Sequence, residues 1–490
     1  MKTRVRYAPS PTGLQHIGGI RTALFNCLYA RATGGTFALR LEDTDRTRCD
    51  DAFVKNLYDT FDWLGFRWDE GPDVGGAFAP YVQSERSALY QRYARELLDK
   101  GAAYRCFCSG ERLEAVRKER EAAKSPLTGY DRQCRSLKAE EAEARANAGE
   151  SHTIRLKIPL GERTVFHDAL LGDVEWKNDD VNPDPVLLKS DGFPTYHLAN
   201  IVDDHLMEIT HVLRAQEWLS STPLHIILYR VFGWEPPVFC HLPMVMGQDG
   251  KKLSKRHGAT SIDEFRKGGY LPDALLNYVA LLGASYEEGR EIWTLDDLAK
   301  RFSLDKINKA PAVFDYRKLA WFNAEYIKAA GNEELAVRAL PFALDAGLFG
   351  GAGRPPDSGQ KALFVNAMPL VKERAALLTE IPAKLAYLFA APPVPDKQEF
   401  IPKKGSIEDA RVSLERALPL VAALATGDDA GAEVLVKAAC EKSAVKIGDF
   451  LMPLRVAITG SRVSPPLFGS MRLLGADECA ARIKRALESC

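Results

Sequence analysis

Three features that would assign this chain to a specialised class of protein are missing from its sequence. None of its apolar runs is long enough to span a bilayer, so no membrane helix is predicted. Neither sign of charge is in excess, because 65 basic and 66 acidic residues give a net charge of −1. A nucleic-acid partner would therefore have to be held by local basic patches. We also find no internal repeat.

A disulfide framework is missing as well. The nine cysteines are scattered along 490 residues, as suits a reducing compartment. The first predicted strand begins within a few residues of Met1, so a cleaved signal would remove residues assigned to the candidate site, and we expect a cytoplasmic protein. A chain of this length should divide into about three to five domains.

Residues 7–19 (YAPSPTGLQHIGG) are the most informative stretch that is present. A β-branched and basic run precedes them, and apolar residues at helical spacing follow, which predicts a strand, a loop and a helix. Gly18 and Gly19 stand where the helix begins. Because they lack a Cβ atom, a phosphate could approach the free N–H groups and the positive dipole end of that helix.

A second stretch, residues 247–261 (GQDGKKLSKRHGATS), predicts a mobile cationic loop. Lys252 and Lys255 stand on either side of Ser254, after a Gln-Asp-Gly turn. Either stretch alone is weak evidence, since a lysine pair beside a glycine turn is usually a solvated loop. Together, one rigid and one mobile phosphate-facing element predict nucleotide chemistry.

The two stretches resemble the signature motifs of the class I aminoacyl-tRNA synthetases, in the form found in bacterial-type glutamyl enzymes. HIGG (16–19) resembles the first motif and KLSKR (252–256) the second. Gly19 stands where the class-wide signature has histidine, a variation that the glutamyl branch accepts. The resemblance implies an enzyme that activates glutamate with ATP to glutamyl-adenylate. It would then transfer glutamate to the 3′ end of tRNA(Glu), releasing AMP and diphosphate.

Alternating strand and helix patterns predict an α/β fold with a Rossmann-type parallel sheet, which binds ligands at the carboxyl ends of its strands. An α+β insertion splits this sheet, and an all-α region follows. The predicted elements include strands at 3–7 and 36–41, helices at 52–64 and 85–98, a hairpin turn at Asp191 and Gly192, and a buried strand ending at Arg214.

Five segments are predicted once the resemblance is added. The catalytic domain occupies 1–109 and 185–240, and the inserted domain 110–184 binds the acceptor stem. Segment 241–330 holds the KLSKR loop and helices that contact the tRNA stem. Segment 331–490 is the all-helical anticodon-binding domain, in two subdomains. We expect a monomer.

The resemblance also implies where ATP binds, with Mg²⁺. In-line attack on the α-phosphate spreads negative charge over phosphorus and leaving group, so positioned donors are needed more than a covalent nucleophile. We predict His16, Lys252 and Lys255 as catalytic, with Lys255 the largest contributor. The implied ATP-binding residues are His16, Gly18, Gly19, Glu217, Trp218, Lys252, Ser254 and Lys255.

Choosing glutamate over glutamine requires a cation that reads a carboxylate. A guanidinium binds a carboxylate through two charge-assisted bonds and is left poorly paired by a neutral amide. Arg6 and Arg214, each at the end of a predicted strand, are candidates by position, and Glu42 suits the ammonium group. The resemblance carries the glutamate pocket onto Arg6, Ala8, Ser10, Glu42, Tyr196, Asn200 and Arg214.

Cys106, Cys108 and Cys134 are the one close cysteine group, and they resemble a zinc-binding insertion of some glutamyl enzymes. Zinc-binding members often have a histidine two residues after the last cysteine, and Ser136 stands there. Tyr130 is a possible fourth ligand by resemblance to short relatives. A structural zinc site and a lost site both remain open.

The resemblance places an arginine that rejects the glutamine anticodon at Arg374. The resemblance also implies that activation of glutamate waits for tRNA. One alternative is a non-discriminating enzyme that also charges tRNA(Gln). Another is a non-catalytic tRNA-binding paralogue, which would not need the KLSKR loop. A small-molecule nucleotidyl transferase is a third alternative, and it would not need the long helical C-terminal region.

Overall fold

The computed structural model of the chain describes residues 2–45, 47–123, 129–181, 183–403, 405–441 and 445–490. The chain divides into two compact units. The first consists of Met1–Glu264 and Leu276–Asp315, and the second of Phe265–Leu275 and Tyr316–Cys490. Within the described residues, no helix combines the length and the apolar character that crossing a bilayer requires.

The strands and helices are numbered here in chain order. The strands are β1 (Arg4–Tyr7), β2 (Thr36–Leu39), β3 (Ala103–Cys106), β4 (Thr153–Leu156), β5 (Arg163–Asp168), β6 (Gly172–Lys177), β7 (Val186–Leu188), β8 (His211–Ala215), β9 (Val238–Leu242), β10 (Val245–Met246) and β11 (Ala312–Val313). The helices of the first half are α1 (Ile17–Ala32), α2 (Asp51–Leu64), α3 (Ser87–Asp99), α4 (Gly110–Ala122), α5 (Ala139–Asn147), α6 (Tyr196–Leu206), α7 (Thr222–Phe232), α8 (Ile262–Lys267), α9 (Pro272–Leu281) and α10 (Leu295–Arg301). Those that follow are α11 (Tyr316–Ala329), α12 (Asn332–Asp345), α13 (Ser358–Val371), α14 (Ile381–Phe389), α15 (Lys397–Phe400), α16 (Ile407–Ala417), α17 (Val421–Thr426), α18 (Asp429–Glu441), α19 (Ile447–Thr459), α20 (Leu467–Leu474) and α21 (Ala476–Ser489).

Parallel strands form the centre of the first unit, as the alternating pattern predicts. β1 pairs in parallel with β2, and β8 pairs in parallel with β9. The backbone N–H of Thr210, just before β8, donates to the carbonyl of Arg4 at 3.0 Å, which brings the two pairs together. The carboxyl ends of β1, β8 and β9 therefore lie near one another, and this is the edge where such sheets bind ligands.

Apolar side chains of the strands and of the covering helices bury the interior of this unit. Helices α3, α6 and α7 and strands β8 and β9 contribute Tyr90, Leu97, Leu198, Val202, Val212, Leu228 and Phe239, each at most 2 % exposed. Helix α2 begins with Asp50 as its N-cap and ends at Gly65, whose φ of 75° is one that glycine adopts without strain. The predicted helices at 52–64 and 85–98 are confirmed, the second with a 3₁₀ turn before α3.

The region of the predicted insertion contributes to two sheets. β3, β4 and β7 form an antiparallel sheet whose strands come from before, within and after segment 110–184. β5 and β6 form a hairpin, and Asp168 at the end of β5 pairs in parallel with Phe239 of β9. Strands of the insertion thus extend the central sheet, and the borders at 110 and 184 stay predictions.

The hairpin signal at Asp191 and Gly192 gives a turn followed by a helix. Gly192 has a φ of 81°, and its N–H donates to the carbonyl of Lys189. Leu188 and Pro194 pair across the turn, flanked by bonds from the N–H of Lys189 to the carbonyl of Phe193 and from the N–H of Thr195 to that of Leu187. The pairing is short, because α6 begins at the next residue, Tyr196.

Every regular element among the described residues of the second unit is a helix, which confirms the all-α region of the predicted fold. One core is formed by α12, α13 and α14 with neighbouring residues, and includes Leu335, Ala339, Met368, Ile381 and Leu385. Another is formed by α15 to α21 and includes Phe400, Leu414, Phe450, Met471 and Ile483. The predicted segment 241–330 is divided, because 265–275 and 316–330 belong to the helical unit.

Candidate active site

A cavity of about 1000 Å³ opens at the carboxyl ends of β1, β8 and β9. Its walls come from the 8–16 loop, the first turn of α1, the start of α6 and the 252–261 segment. All residues predicted to bind ATP or glutamate line this one cavity, namely Arg6, Ala8, Ser10, His16, Gly18, Gly19, Glu42, Tyr196, Asn200, Arg214, Glu217, Trp218, Lys252, Ser254 and Lys255. The structure therefore brings together residues that lie up to 249 positions apart, from Arg6 to Lys255.

His16 is the N-cap of α1. Its Nδ1 accepts a hydrogen bond from the N–H of Gly19 at 3.2 Å, and the N–H of Ile17 donates to the carbonyl of Thr260 at 3.0 Å. The first turn of α1 is thus fixed against the segment after the lysine loop. Desolvation by the walls of the cleft, followed by the charge of Lys252, lowers the pKa of His16. A neutral imidazole at a positive helix end can approach an anion without a desolvated charge of its own.

The two motif lysines differ in their surroundings. The Nζ of Lys252 donates to Glu217 Oε2 at 2.5 Å. Lys255 is exposed, and no described residue forms a hydrogen bond or ion pair with its ammonium group. The loop itself is held by His257, whose Nε2 lies 2.9 Å from Asp249 Oδ1. One lysine is therefore already paired, while the other is free to meet a ligand.

A buried ion network forms the floor of the cavity below Glu42. Arg6 donates from Nε and Nη2 to both carboxylate oxygens of Asp204, at 3.0 and 3.1 Å. Arg40 has no exposed surface and donates to Asp204 at 2.7 Å and to Glu42 at 2.9 Å. Burial alone would raise the pKa of Asp204, but Arg6 and Arg40 outweigh it and hold that pKa below its usual value. Arg6, a predicted reader of the substrate carboxylate, is thus already paired with a protein carboxylate.

Sequence reasoning missed Arg40 and Asp204. A signal for both was present, since Arg40 interrupts the apolar residues of the predicted strand 36–41 and Asp204 closely follows the apolar pair Ile201 and Val202. Charged residues in such places are rarely buried unless they are paired.

Arg214 is only 4 % exposed, and its contacts differ in kind from those of Arg6. Its guanidinium donates to neutral acceptors, which are His241 Nε2 (3.1 Å), Tyr196 Oη (3.1 Å), His225 Nδ1 (3.3 Å), the carbonyl of Trp218 (3.3 Å) and Thr222 Oγ1 (2.8 Å). Among the described residues, no carboxylate lies within 4 Å of it. Burial lowers the pKa of Arg214. The cavity therefore contains a buried cation without a direct counterion.

The charged residues below Glu42 are paired with one another, and Arg214 is not among them. The ion network beside it is balanced, with three arginines and three carboxylates in contact: Arg6, Arg40, Arg86, Glu42, Asp203 and Asp204. Arg214 stands outside this network. Arg21, which also lines the cavity and is 2 % exposed, likewise has no carboxylate within 4 Å among the described residues and donates to the carbonyl of Pro243. A ligand with one net negative charge would neutralise Arg214, whereas a neutral ligand would leave it unpaired.

Cys106, Cys108, Cys134 and Tyr130 form a compact group in the first unit. The three sulfur atoms lie within 4.8 Å of one another, with Cys108 Sγ and Cys134 Sγ 3.6 Å apart. The Tyr130 hydroxyl lies 3.3 Å from Cys106 Sγ and 3.8 Å from Cys108 Sγ, and it accepts a hydrogen bond from the N–H of Cys134. Ligands at about 2.3 Å from a tetrahedral Zn²⁺ stand roughly 3.8 Å apart, so these spacings fit zinc.

Arg374 lies in the turn after α13 rather than within a helix. Its Nη1 donates to the carbonyl of Ser464 at 2.7 Å, and Arg455 donates to Ser464 Oγ at 2.7 Å. Neither arginine has a carboxylate within 4 Å among the described residues. Burial, followed by the charge of Arg374, lowers the pKa of Arg455. The helical unit therefore holds a small cationic surface around Ser464.

Two protein-family models match successive parts of the chain. Residues 2–321 match the family model described as "tRNA synthetases class I (E and Q), catalytic domain", and residues 334–487 match "Anticodon binding domain". The chain is 55 % identical over 504 aligned positions to the glutamate–tRNA ligase of Treponema denticola, covering 99 % of each chain. It is 48 % identical over 488 positions to that of Borreliella burgdorferi, covering 100 % of this chain and 99 % of that one.

Among solved structures, the chain is similar to a glutamate–tRNA ligase from Elizabethkingia meningosepticum in complex with its amino acid. The two superpose with a TM-score of 0.88 at 34 % identity, over 100 % of this chain and 99 % of the other.

Proposed function

Since the chain belongs to the class I glutamate–tRNA ligases, we propose that the cavity at the carboxyl ends of β1, β8 and β9 is where glutamate is joined to ATP. The enzyme is a ligase with tRNA, ATP and glutamate as its substrates. The observation that carries the site assignment is Arg214, a buried cation that faces this cavity without a carboxylate partner.

Glutamate is selected by charge. Its ammonium group and two carboxylates sum to −1, which matches the positive charge that Arg214 adds beside the balanced network below Glu42. Glutamine is neutral overall and would leave Arg214 unpaired, at a cost of several kcal/mol for a buried ion. Arg6 contributes through Nη1, the guanidinium nitrogen that is not bonded to Asp204 or Asn200. Glu42, whose carboxylate is held by Arg40, receives the ammonium group.

ATP occupies the other end of the cavity. The first turn of α1 offers the N–H groups near Gly18 and His16 as a capping imidazole. Lys255, which has no partner among the described residues, closes on the phosphates. Lys252 leaves Glu217 when the polyphosphate arrives, because two or more phosphate charges outweigh one carboxylate. Mg²⁺ bound with ATP would supply further positive charge for the leaving group.

The reaction follows from this placement. A carboxylate oxygen of glutamate attacks the α-phosphorus of ATP, the bond from that phosphorus to the bridging oxygen breaks, and diphosphate leaves. Developing charge falls on the oxygens facing Lys255 and α1, which is where fixed donors lower the barrier. The terminal ribose hydroxyl of tRNA then attacks the carbonyl carbon of the adenylate and AMP departs.

tRNA binding is assigned to the remaining segments. Segment 110–184 receives the acceptor end, 241–330 contacts the stem and 331–490 reads the anticodon. The cationic surface of Arg374 suits discrimination against the glutamine anticodon. The protein acts as a monomer and in the cytoplasm.

Cys106, Cys108, Cys134 and Tyr130 would hold a zinc ion. The Tyr130 hydroxyl would be the fourth ligand, since Ser136 stands where relatives often have a histidine, and the N–H of Cys134 holds it in place. The site is structural, because it offers four protein ligands and no open position.

Glutamate-dependent pyrophosphate exchange tests the proposal. We expect exchange with glutamate and tRNA(Glu), none with glutamine, and little without tRNA. Exchange with tRNA(Gln) as well would assign a non-discriminating enzyme. Failure with every tRNA, from folded protein, would overturn the site assignment in favour of a non-catalytic tRNA-binding protein.

A further inference from the structure

Arg214 is held by a histidine whose protonation state the contacts define. The Nε–H of Arg214 points at His241 Nε2, 3.1 Å away. An arginine Nε–H can only donate, so His241 Nε2 must carry a lone pair. The proton of this neutral imidazole is therefore on Nδ1, which lies 2.6 Å from Asp168 Oδ2. Burial also lowers the pKa of His241, against the opposing effect of Asp168.

Asp168 is fixed from several sides. It has no exposed surface, and it accepts the N–H groups of Leu170 and Leu171 at 3.0 and 2.9 Å. Its second oxygen also accepts the backbone N–H of His241 at 3.0 Å. These bonds place the carboxylate at the end of β5, where that strand meets β9, and leave it little freedom to turn away from the imidazole.

The Asp168 carboxylate, the His241 imidazole and the Arg214 guanidinium are hydrogen-bonded in series, and Arg214 lines the cavity. Asp168 forms no direct contact with Arg214 and acts on it through the neutral ring of His241. It therefore orients the guanidinium through Nε alone, while Nη1 and Nη2 donate to neutral partners that a ligand carboxylate can replace. A carboxylate in direct contact, as Asp204 is with Arg6, would compete with the substrate.

We propose that Asp168 and His241 are positioning residues for glutamate binding, which act by fixing the orientation of Arg214. The inference rests on the proposed role of Arg214 in binding the substrate carboxylate. Neither residue lines the cavity, so any effect on glutamate must pass through Arg214.

Asp168→Asn is the first variant. An amide no longer requires a proton on Nδ1, so His241 can adopt the other tautomer and point an N–H at the Nε–H of Arg214. We expect the KM for glutamate to rise about tenfold or more, with the KM for ATP unchanged. Pyrophosphate exchange at saturating tRNA measures both constants. Equal changes in the two constants, or none, would overturn the proposal.

Two substitutions of His241 separate positioning from general structure. Glutamine can place its Oε1 where Nε2 lies and so keeps an acceptor for Arg214, whereas asparagine reaches only the Nδ1 position and keeps the bond to Asp168. His241→Asn should therefore raise the KM for glutamate more than His241→Gln. The reverse order would contradict the proposal, and thermal melting identifies a variant that fails to fold.

Arg214→Lys distinguishes this proposal from the one on which it rests. If Arg214→Lys leaves the KM for glutamate unchanged, the role of Arg214 is wrong. If it raises that KM and Asp168→Asn does not, only the positioning proposal falls. Adding Asp168→Asn to Arg214→Lys should have no further effect, because the Nε–H is already gone. Asp173→Asn is a matched control, since Asp173 contacts His167 at 2.7 Å on the exposed β5–β6 hairpin.

Discussion

The hydroxyl of Tyr7 lies 2.8 Å from the point that a Cβ atom on Gly19 would occupy. That hydroxyl is itself fixed, because it donates to Gln15 Oε1 at 2.8 Å within the interior. The space beside α1 in which other class I enzymes would place a histidine side chain is therefore filled by the end of β1. Glycine at position 19 is a packing requirement here as well as an opening for phosphate.

Gly19→Ala should lower kcat/KM for ATP, since the added methyl group must displace the Tyr7 hydroxyl or shift the first turn of α1. Overpacking of this kind costs roughly 1–3 kcal/mol. Adding Tyr7→Phe removes the oxygen in conflict, and the double variant should regain part of the lost activity. Pyrophosphate exchange at varied ATP measures this, and a double variant no better than Gly19→Ala would contradict the packing explanation.

Lys255→Ala should depress adenylate formation by about 10²–10³-fold, roughly 3–4 kcal/mol, with glutamate binding little changed. The reason is that its free ammonium group meets charge that develops in the transition state. Lys251→Ala is the matched control, because Lys251 is an exposed lysine of the same loop that does not line the cavity. Rapid-quench measurement of adenylate checks both, and unimpaired activation in Lys255→Ala would remove it from the mechanism.

Arg374→Gln should raise charging of tRNA(Gln) relative to tRNA(Glu), by roughly tenfold if one base contact is lost. The ratio of kcat/KM for the two tRNAs is the measurement. Lys372→Gln changes the same charge in the same turn and should leave the ratio as it was. If Arg374→Gln leaves the ratio unaltered, Arg374 does not discriminate between the two tRNAs. Pyrophosphate exchange by the same variant shows whether its catalytic unit is intact.

Purified protein should carry about one equivalent of zinc, and a chelator should lower its melting temperature, because thiolates fixed by folding hold the metal only in the native state. Cys134→Ser should lose the metal, and Tyr130→Phe should bind it more weakly. Cys440→Ser changes a buried cysteine of the helical unit and should retain full metal content. Elemental analysis measures the zinc content. Protein that contains no metal, and whose melting temperature a chelator leaves unchanged, would indicate a lost site.

Sequence determined the parts of this protein whose signal is local. The HIGG stretch contains its own strand, loop and helix start, so the cap of His16 on Gly19 follows from four adjacent residues. The KLSKR loop is likewise contiguous, and Lys255 was recognisable without knowing what surrounds it. Helical periodicity was enough to predict the all-α second half. The cysteine spacing indicated the group around Cys134 and left its fourth ligand open.

Tertiary structure decided how charge is distributed in the pocket. Arg6 and Arg214 look alike in sequence, each at a strand end, yet one is paired with Asp204 and the other has only neutral acceptors. That difference depends on residues almost two hundred positions from Arg6 and, through His241, on a carboxylate at the end of β5. The desolvation of a buried ion and the partners it finds depend on packing between distant segments, so periodicity and motif spacing have no access to them.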